Sequence, residues 1–273
     1  MIITDIHTHT KFSSDGKDEM EDIILTAIER GVSYYGIAEH LDYDYELFKV
    51  KIHGKTMPLL NLHAYFEKGR EMQEKYKDKI HLLIGLEVGF ANDKRLFDMV
   101  NLVISRFKPD FIVNSTHTVG NQDCYFPEFC EGKTKELAYG MYLEKICESL
   151  DAGYPFDIIS HIGYISRNAP YEDKKLRYCE FKDVIDRILL KIIEKGKILE
   201  VNSSSRGAGS DFLPDTDIIE RYYQLGGRKV SFASDTHDCA RVAEGREKVV
   251  SVLRKIGFEY LTIPDEDETK IEI

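Results

Sequence analysis

"ITDIHTHTKFSSDGKDEMEDIILTAIERG" (residues 3–31) holds one strand-like run, one polar turn and one helix, and its reading decides the fold. The β-branched and apolar run gives out at His7 and His9, and Asp15 follows beside Gly16. Met20, Ile23, Ile24, Ala27 and Ile28 then recur at helical spacing, with an acidic first turn, Arg30 in the last turn and Gly31 as the stop. Two imidazoles at a strand end admit three readings: a metal site, surface histidines at a turn, or an ordinary strand terminus.

The same strand–helix unit repeats outward. "YYGIAEH" (34–40) leads through a long polar loop to a helical pattern from about Leu59 to Lys77, and "IHLLIGLE" (80–87) leads to one over 93–107. "DFIVNSTH" (110–117) precedes a loop and a helix over 135–150, and "FDIISH" (156–161) a helix over 180–195. "KILEVNSSS" (197–205) and "KVSFASDTH" (229–237) are followed by helices near 215–225 and 240–256, and "FEYLTI" (258–263) closes the series. Strands alternating with helices at this spacing predict parallel strands with helical crossovers. A closed (β/α) barrel has about 250 residues, and the pattern counts seven clear units plus a weak final strand. An open doubly wound sheet is the structural alternative. No repeat, low-complexity tract or linker interrupts the series, so the expectation is a single α/β domain over 1–273.

Composition narrows the function classes. The chain of 273 residues is 42% hydrophobic and 31% charged, which suits a large core rather than disorder. A net charge of −11 argues against a nonspecific grip on nucleic acid or anionic lipid, while a bound metal is the simplest source of a local positive site. Five cysteines without a C-x-x-C pattern indicate neither a disulfide framework nor a zinc knuckle. With no signal pattern and no apolar run near the length of a membrane span, a cytoplasmic protein is expected.

Six of the nine histidines fall where an apolar run ends: His7 and His9, His40, His117, His161 and His237. Glu87 and Asp235 end runs as well. In a parallel barrel those ends meet on one face, where such folds build their sites. Residues i and i+2 of a strand point to one side, so His7 and His9 can share one metal, and Asp235 and His237 can contribute together. A lone histidine such as His161 is more often a hydrogen-bonded structural residue, and the constellation reverses those odds. His53, His63 and His81 end no strand and stay unassigned.

D-x-H-x-H at 5–9, Asp15, "EH" at 39–40, "GLE" at 85–87, "STH" at 115–117, "SHIG" at 160–163 and "SDTH" at 234–237 resemble, in order and spacing, the motifs of the polymerase and histidinol phosphatase (PHP) superfamily. "EHLDYDYE" (39–46), "GKTKELAYGMYLE" (132–144), "FDIISHIGYISR" (156–167) and "LEVNSSSR" (199–206) look like its histidinol-phosphate phosphatase branch. The resemblance implies a distorted, TIM-like (β/α)7 barrel with up to three metals at the strand C-termini. It implies His7, His9, Glu87 and Asp235 on the first metal, a bridging Glu87 with His117 and His161 on the second, and Asp15, His40 and His237 on the third. One departure is Gly163, where the phosphatases more often carry an Asp.

Mixed imidazole and carboxylate ligands suit zinc, manganese or iron, so the three metals that the resemblance implies are expected to be divalent transition metals. Three such ions against Asp15, Glu87 and Asp235 leave about +3, which a bridging hydroxide and a phosphate dianion neutralise. That hydroxide is the expected nucleophile, because a metal brings the pKa of water from 15.7 to about 7. Arg167 and Arg206 lie in loops over the same face and are expected to bind phosphate oxygens. His237 and Asp235 are the candidates for delivering a proton to the leaving group. Substrate choice is assigned to the loops at 41–58 and 118–134, with Asp42, Asp44 or Glu46 available to a cationic substrate.

The expected activity is hydrolysis of L-histidinol phosphate to L-histidinol and phosphate, a step of histidine biosynthesis, with no nucleic-acid or membrane partner. The alternatives are a phosphoesterase for nucleotides or phosphotyrosine and a non-catalytic or polymerase-associated module. An amidohydrolase-type barrel also opens with H-x-H, but the mid-chain lysine ligand it ordinarily needs is replaced here by strands ending in glutamate or histidine. The sequence leaves oligomeric state open.

Overall fold

Seven parallel strands carry the expected alternation: β1 (Ile3–Thr8), β2 (Val32–Leu41), β3 (His81–Gly89), β4 (Ile112–Ser115), β5 (Ile158–Ile159), β6 (Ile198–Asn202) and β7 (Val230–Ala233). They hydrogen-bond in that order. The ring closes through a parallel bridge between Thr8 and Thr236, with His9 N–H donating to Thr236 O at 2.8 Å and Asp235 N–H to His7 O at 2.9 Å. The closure selects the barrel over the open sheet. These features belong to a computed structural model that describes every residue except Met1 and His53, so the histidine unassigned at 53 lies outside the described residues.

The crossover helices are α1 (Met20–Glu29), α2 (Leu62–Tyr76), α3 (Lys94–Phe107), α4 (Lys135–Ser149), α5 (Lys182–Glu194), α6 (Thr216–Gln224) and α7 (Arg246–Ile256). Helix α1 buries Met20, Ile23, Ile24 and Ala27, the stripe read from the sequence, and leaves Ile28 half-buried at its margin. Burying one such side chain contributes about 1.5–3 kcal/mol, so the stripe is ample reason for the helix to dock. The helix starts are set locally: Asn61, Asp93 and Thr134 accept from the amides of Ala64, Arg95 and Leu137. At Gly36 the backbones of β1 and β2 approach so closely that a Cβ would lie 2.7 Å from Ile6 O.

The last apolar run departs from the repeating pattern. Tyr260–Thr262 pairs antiparallel with Lys270–Glu272 in a separate hairpin and adds no eighth strand to the ring. Two long loops cover the mouth of the barrel. The 41–58 loop contains a short helix, Tyr43–Phe48, and the 118–134 loop contains a hairpin, Thr118–Val119 with Gln122–Asp123, and a 3-10 turn, Pro127–Cys130. Among the described residues, no helix is long and apolar enough to cross a membrane. All five cysteines are unpaired.

Candidate metal centre

Glu87, on β3, is the hub of the site. Its Oε1 lies 2.9 Å from His161 Nε2 and 3.2 Å from His117 Nε2. Its Oε2 faces His40 Nδ1 at 2.6 Å, His7 Nε2 at 3.4 Å and His9 Nε2 at 3.6 Å. The pairing of β2 with β3 puts His40 opposite Glu87, so these two are aligned by sheet register alone. Asp235 Oδ1 completes the first group, 3.5 Å from His9 Nε2. At the rim, His237 Nε2 lies 3.4 Å from His40 Nε2 and 3.1 Å from Asp15 Oδ2, and Asp15 reaches His40 Nε2 at 3.6 Å. All nine residues expected as ligands therefore meet at one mouth of the barrel, eight of them mostly buried and Asp15 half-exposed at the edge.

The donor set fits divalent cations on the atoms' own evidence. Glu87 Oε2 and His40 Nδ1 are buried and close, yet neither makes a hydrogen bond. His7 Nε2 and His9 Nε2 face each other at 3.2 Å, near the roughly 3.3 Å between two nitrogens that each sit about 2.0–2.1 Å from one tetrahedral zinc. Four imidazoles turn Nε2 inward while Nδ1 meets an outer partner. His7 Nδ1 donates to Glu200 Oε2 at 2.7 Å, His237 Nδ1 donates to Asp235 O at 3.1 Å, His9 Nδ1 lies 3.2 Å from Ser13 Oγ and His117 Nδ1 lies 3.4 Å from Asp42 Oδ1. Outer partners of this kind fix the tautomer and aim the other nitrogen. Among the described residues, sets of three donors within one coordination sphere occur at His7, His9 and Glu87, at Glu87, His117 and His161, and at His9, His40 and His237. The last of these has His9 where Asp15 was expected, and a fourth set, His40, Asp42 and His117, matches none of the expected groups.

The electrostatics agree. Burial pushes the Glu87 carboxyl up, but His7, His117 and His40 outweigh it and hold the group well below the usual carboxylate range. Asp235 behaves alike, with Arg167 as the first opposing charge. Burial, joined by the charges of His40 and His237, drives His9 down, and burial also lowers His161, which leaves both lone pairs available. Against burial, carboxylates raise His40 to about 10 and hold His7 and His117 high. A cation held by these groups would take the place of the imidazole protons.

The cluster forms the floor of a cavity of about 220 Å³. Arg167 and Arg206 both line it. Arg167 is buried, donates from Nη2 to Asp235 Oδ2 at 2.8 Å and from Nε to Ser204 O at 3.0 Å, and stacks over Tyr164. Arg206 is exposed and takes a left-handed φ of 42°. Gly163 sits at φ 117°, where a Cβ would come within 3.1 Å of Leu213, so the backbone here favours glycine. Of the three loop acids considered for substrate, Asp42 lines the cavity. Asp44 is fully buried, accepts from Thr118 Oγ1 and is pushed up to about 7 by burial and Asp42, while Glu46 pairs with Lys49 outside.

Several residues of the site were invisible to sequence pattern. Ser13 and Asp123 lie in polar stretches outside the quoted motifs, while Ser115 and Glu200 lie inside "STH" and "LEVNSSSR" with no role assigned to them. Ser115 donates to Glu87 Oε1 at 2.7 Å, and Asp123, on the cavity wall, accepts from Tyr45 OH at 2.7 Å. Two members of the quoted motifs prove structural. Asp5 accepts from Ser234 N–H, Ser234 Oγ and Ala243 N–H, and Glu39 accepts from Thr10 N–H, Thr10 Oγ1 and Ser13 Oγ.

The PHP domain family matches residues 5–204. A histidinol-phosphatase of Lactococcus lactis is 28% identical over 258 residues, covering 94% of this chain and 92% of that protein. A probable histidinol-phosphatase of Thermotoga maritima is 30% identical over 259 residues, with coverages of 95% and 94%. The crystal structure of the Lactococcus lactis histidinol phosphate phosphatase, complexed with zinc, L-histidinol and phosphate, matches with a TM-score of 0.84 at 28% identity and covers 99% of both chains.

Proposed function

The chain belongs to the PHP domain family, and from that premise we propose that it hydrolyses L-histidinol phosphate to L-histidinol and phosphate as one phosphoesterase domain over 1–273. The observation that carries the reading is Glu87, whose two oxygens divide between His117 and His161 on one side and His7, His9 and His40 on the other, under a cavity with two arginines on its wall. Relatives named for the same activity along nearly their full length support it.

The site is one for divalent cations, and the finer assignment is three transition ions, zinc, manganese or iron. His7, His9, Glu87 and Asp235 hold the first, Glu87, His117 and His161 the second, and Asp15, His40 and His237 the third. When bound, such ions lower the pKa of water toward neutrality and stabilise charge on a transferring phosphoryl group. Arg167 binds phosphate through the edge of its guanidinium not engaged by Ser204 and Asp235, and its stacking on Tyr164 keeps that edge oriented. Arg206, from the rim, adds a second positive contact. Asp42 and Asp123 on the wall suit a substrate that carries an amine as well as a phosphate. Five unpaired cysteines suit a cytoplasmic location.

Phosphate release from metal-loaded protein tests the reading with a panel of L-histidinol phosphate, nucleoside monophosphates and phosphotyrosine. The expected result is a kcat/KM for histidinol phosphate at least about 100-fold above the others, a ratio attainable by a site that pairs polar substrate groups. Preference for a nucleotide or for phosphotyrosine contradicts the substrate assignment, and no release from any member contradicts the phosphatase reading.

A further inference from the structure

Strand β6 ends at the barrel mouth like its neighbours, yet it supplies none of the nine expected ligands. It instead carries Glu200 and Asn202, both with 0% exposure. Their spacing of two puts them on one face of the strand. A carboxylate inside a barrel is costly unless its acceptor sites are filled, and apolar side chains pack there more cheaply. Glu200 fills its sites in a particular way. Its Oε2 accepts from His7 Nδ1 at 2.7 Å, and its Oε1 accepts from the His161 backbone N–H at 3.0 Å and from Asn202 Nδ2 at 2.9 Å. Asn202 Nδ2 also reaches Asp235 Oδ2 at 3.3 Å, while its Oδ1 accepts from Ser204 N–H at 2.8 Å, which orients the amide.

We propose that Glu200 is a positioning residue that ties the ligands of two cation sites into one rigid unit, with Asn202 extending the tie to Asp235. Through Oε2 it holds the His7 proton on Nδ1, so that Nε2 presents its lone pair toward Glu87 and His9. Through Oε1 it fixes the backbone where His161 leaves β5, two residues beyond the last paired residue of that strand. Strand β6 thus braces ligands from β1, β5 and β7 without ligating anything itself. The inference rests on the cation reading of the preceding section.

The test is Glu200→Gln, which keeps the volume and one acceptor oxygen but cannot accept from both His7 and His161. Zinc affinity is read by competition with a chromophoric chelator, geometry by the visible absorption of the cobalt-substituted protein, and folding by the thermal midpoint of the metal-free protein. The expected result is a loss of zinc affinity of about 10- to 100-fold, the range found when outer partners of metal-bound histidines are removed, with an altered cobalt spectrum. Wild-type zinc affinity and an unchanged cobalt spectrum overturn the proposal, whatever the thermal midpoint does, because a merely structural carboxylate moves the midpoint alone. Asn202→Ala leaves Glu200 its two other donors and is expected to give a smaller shift in the same direction. It carries the test should Glu200→Gln fail to fold, and an unchanged zinc affinity there also overturns the proposal. Failure of the cation reading looks different: the wild-type protein itself then takes up neither zinc nor cobalt.

Discussion

The ligands of β1–β3 and those of β4–β7 reach the same cluster by different means. His7, His40 and Glu87 lie within strands of six, ten and nine residues, and the register of β2 with β3 sets His40 directly beside Glu87. In the other half the strands are four, two, five and four residues long, and His117, His161, Asp235 and His237 stand beyond their ends. There the backbone is held by other bonds: His161 N–H on Glu200, Ser234 N–H on Asp5, Asp235 N–H on His7 O and Cys124 N–H on His117 O. In the first half strand ladders place His7, His40 and Glu87, with His9 and Asp15 following the end of β1. In the second, buried carboxylates do part of the ladder's work, so that half is the more sensitive to changes that touch no cation.

Glu87→Gln attacks the point where the halves join, and the largest effect is expected there. It removes the charge between the two groups of imidazoles. Phosphate release should fall by more than about 10³-fold, beyond the about 10- to 100-fold typical of an outer partner, with loss of more than one cation by elemental analysis. Retention of full metal content denies Glu87 a shared role. Arg167→Ala comes next, because Arg167 both braces Asp235 and faces the cavity. A fall in kcat/KM of about 10²- to 10³-fold is expected, the size seen when one donor to a developing anion is lost, with a raised KM. An unchanged KM removes Arg167 from the phosphate site.

Asp5→Asn sharpens the contrast from the structural side. It replaces one acceptor oxygen by a donor facing the amide of either Ser234 or Ala243. Chemical denaturation should show a loss of about 1–3 kcal/mol, the cost of a buried unsatisfied group. A neutral result means the β7 end does not depend on that carboxylate. Arg206→Ala is expected to be mildest, because the residue is exposed at the rim. About a tenfold rise in KM for histidinol phosphate is expected, the equivalent of about 1.4 kcal/mol, with kcat kept. A larger loss than at Arg167 reverses the ranking of buried over exposed arginine.

The contrast also explains what could be read from the chain. Helix stripes and strand ends are one-dimensional signals, so α1, the H-x-H pair and the histidines ending five of the seven apolar runs were legible, and their convergence followed from parallel closure. Glu39 was quoted with His40 as one motif, yet adjacent residues of a strand face opposite ways, and Glu39 caps the Thr10–Ser13 turn instead. The final apolar run has strand character, but pairing with 270–272 is a long-range choice that its own composition does not reveal. Glu200 was visible as the acid of "LEVNSSSR", two residues before an Asn, among seven units the one whose end offered no expected ligand. Its meaning lies in partners 193 and 39 residues away.

The central claim is that nine side chains gathered at one barrel mouth hold a cluster of divalent ions. Anomalous diffraction at the metal edge from crystals of metal-loaded protein tests it most directly. Three peaks are expected: one among His7, His9, Glu87 and Asp235, one among Glu87, His117 and His161, and one among Asp15, His40 and His237. An absence of anomalous density at Glu87 in protein that retains its fold contradicts the account.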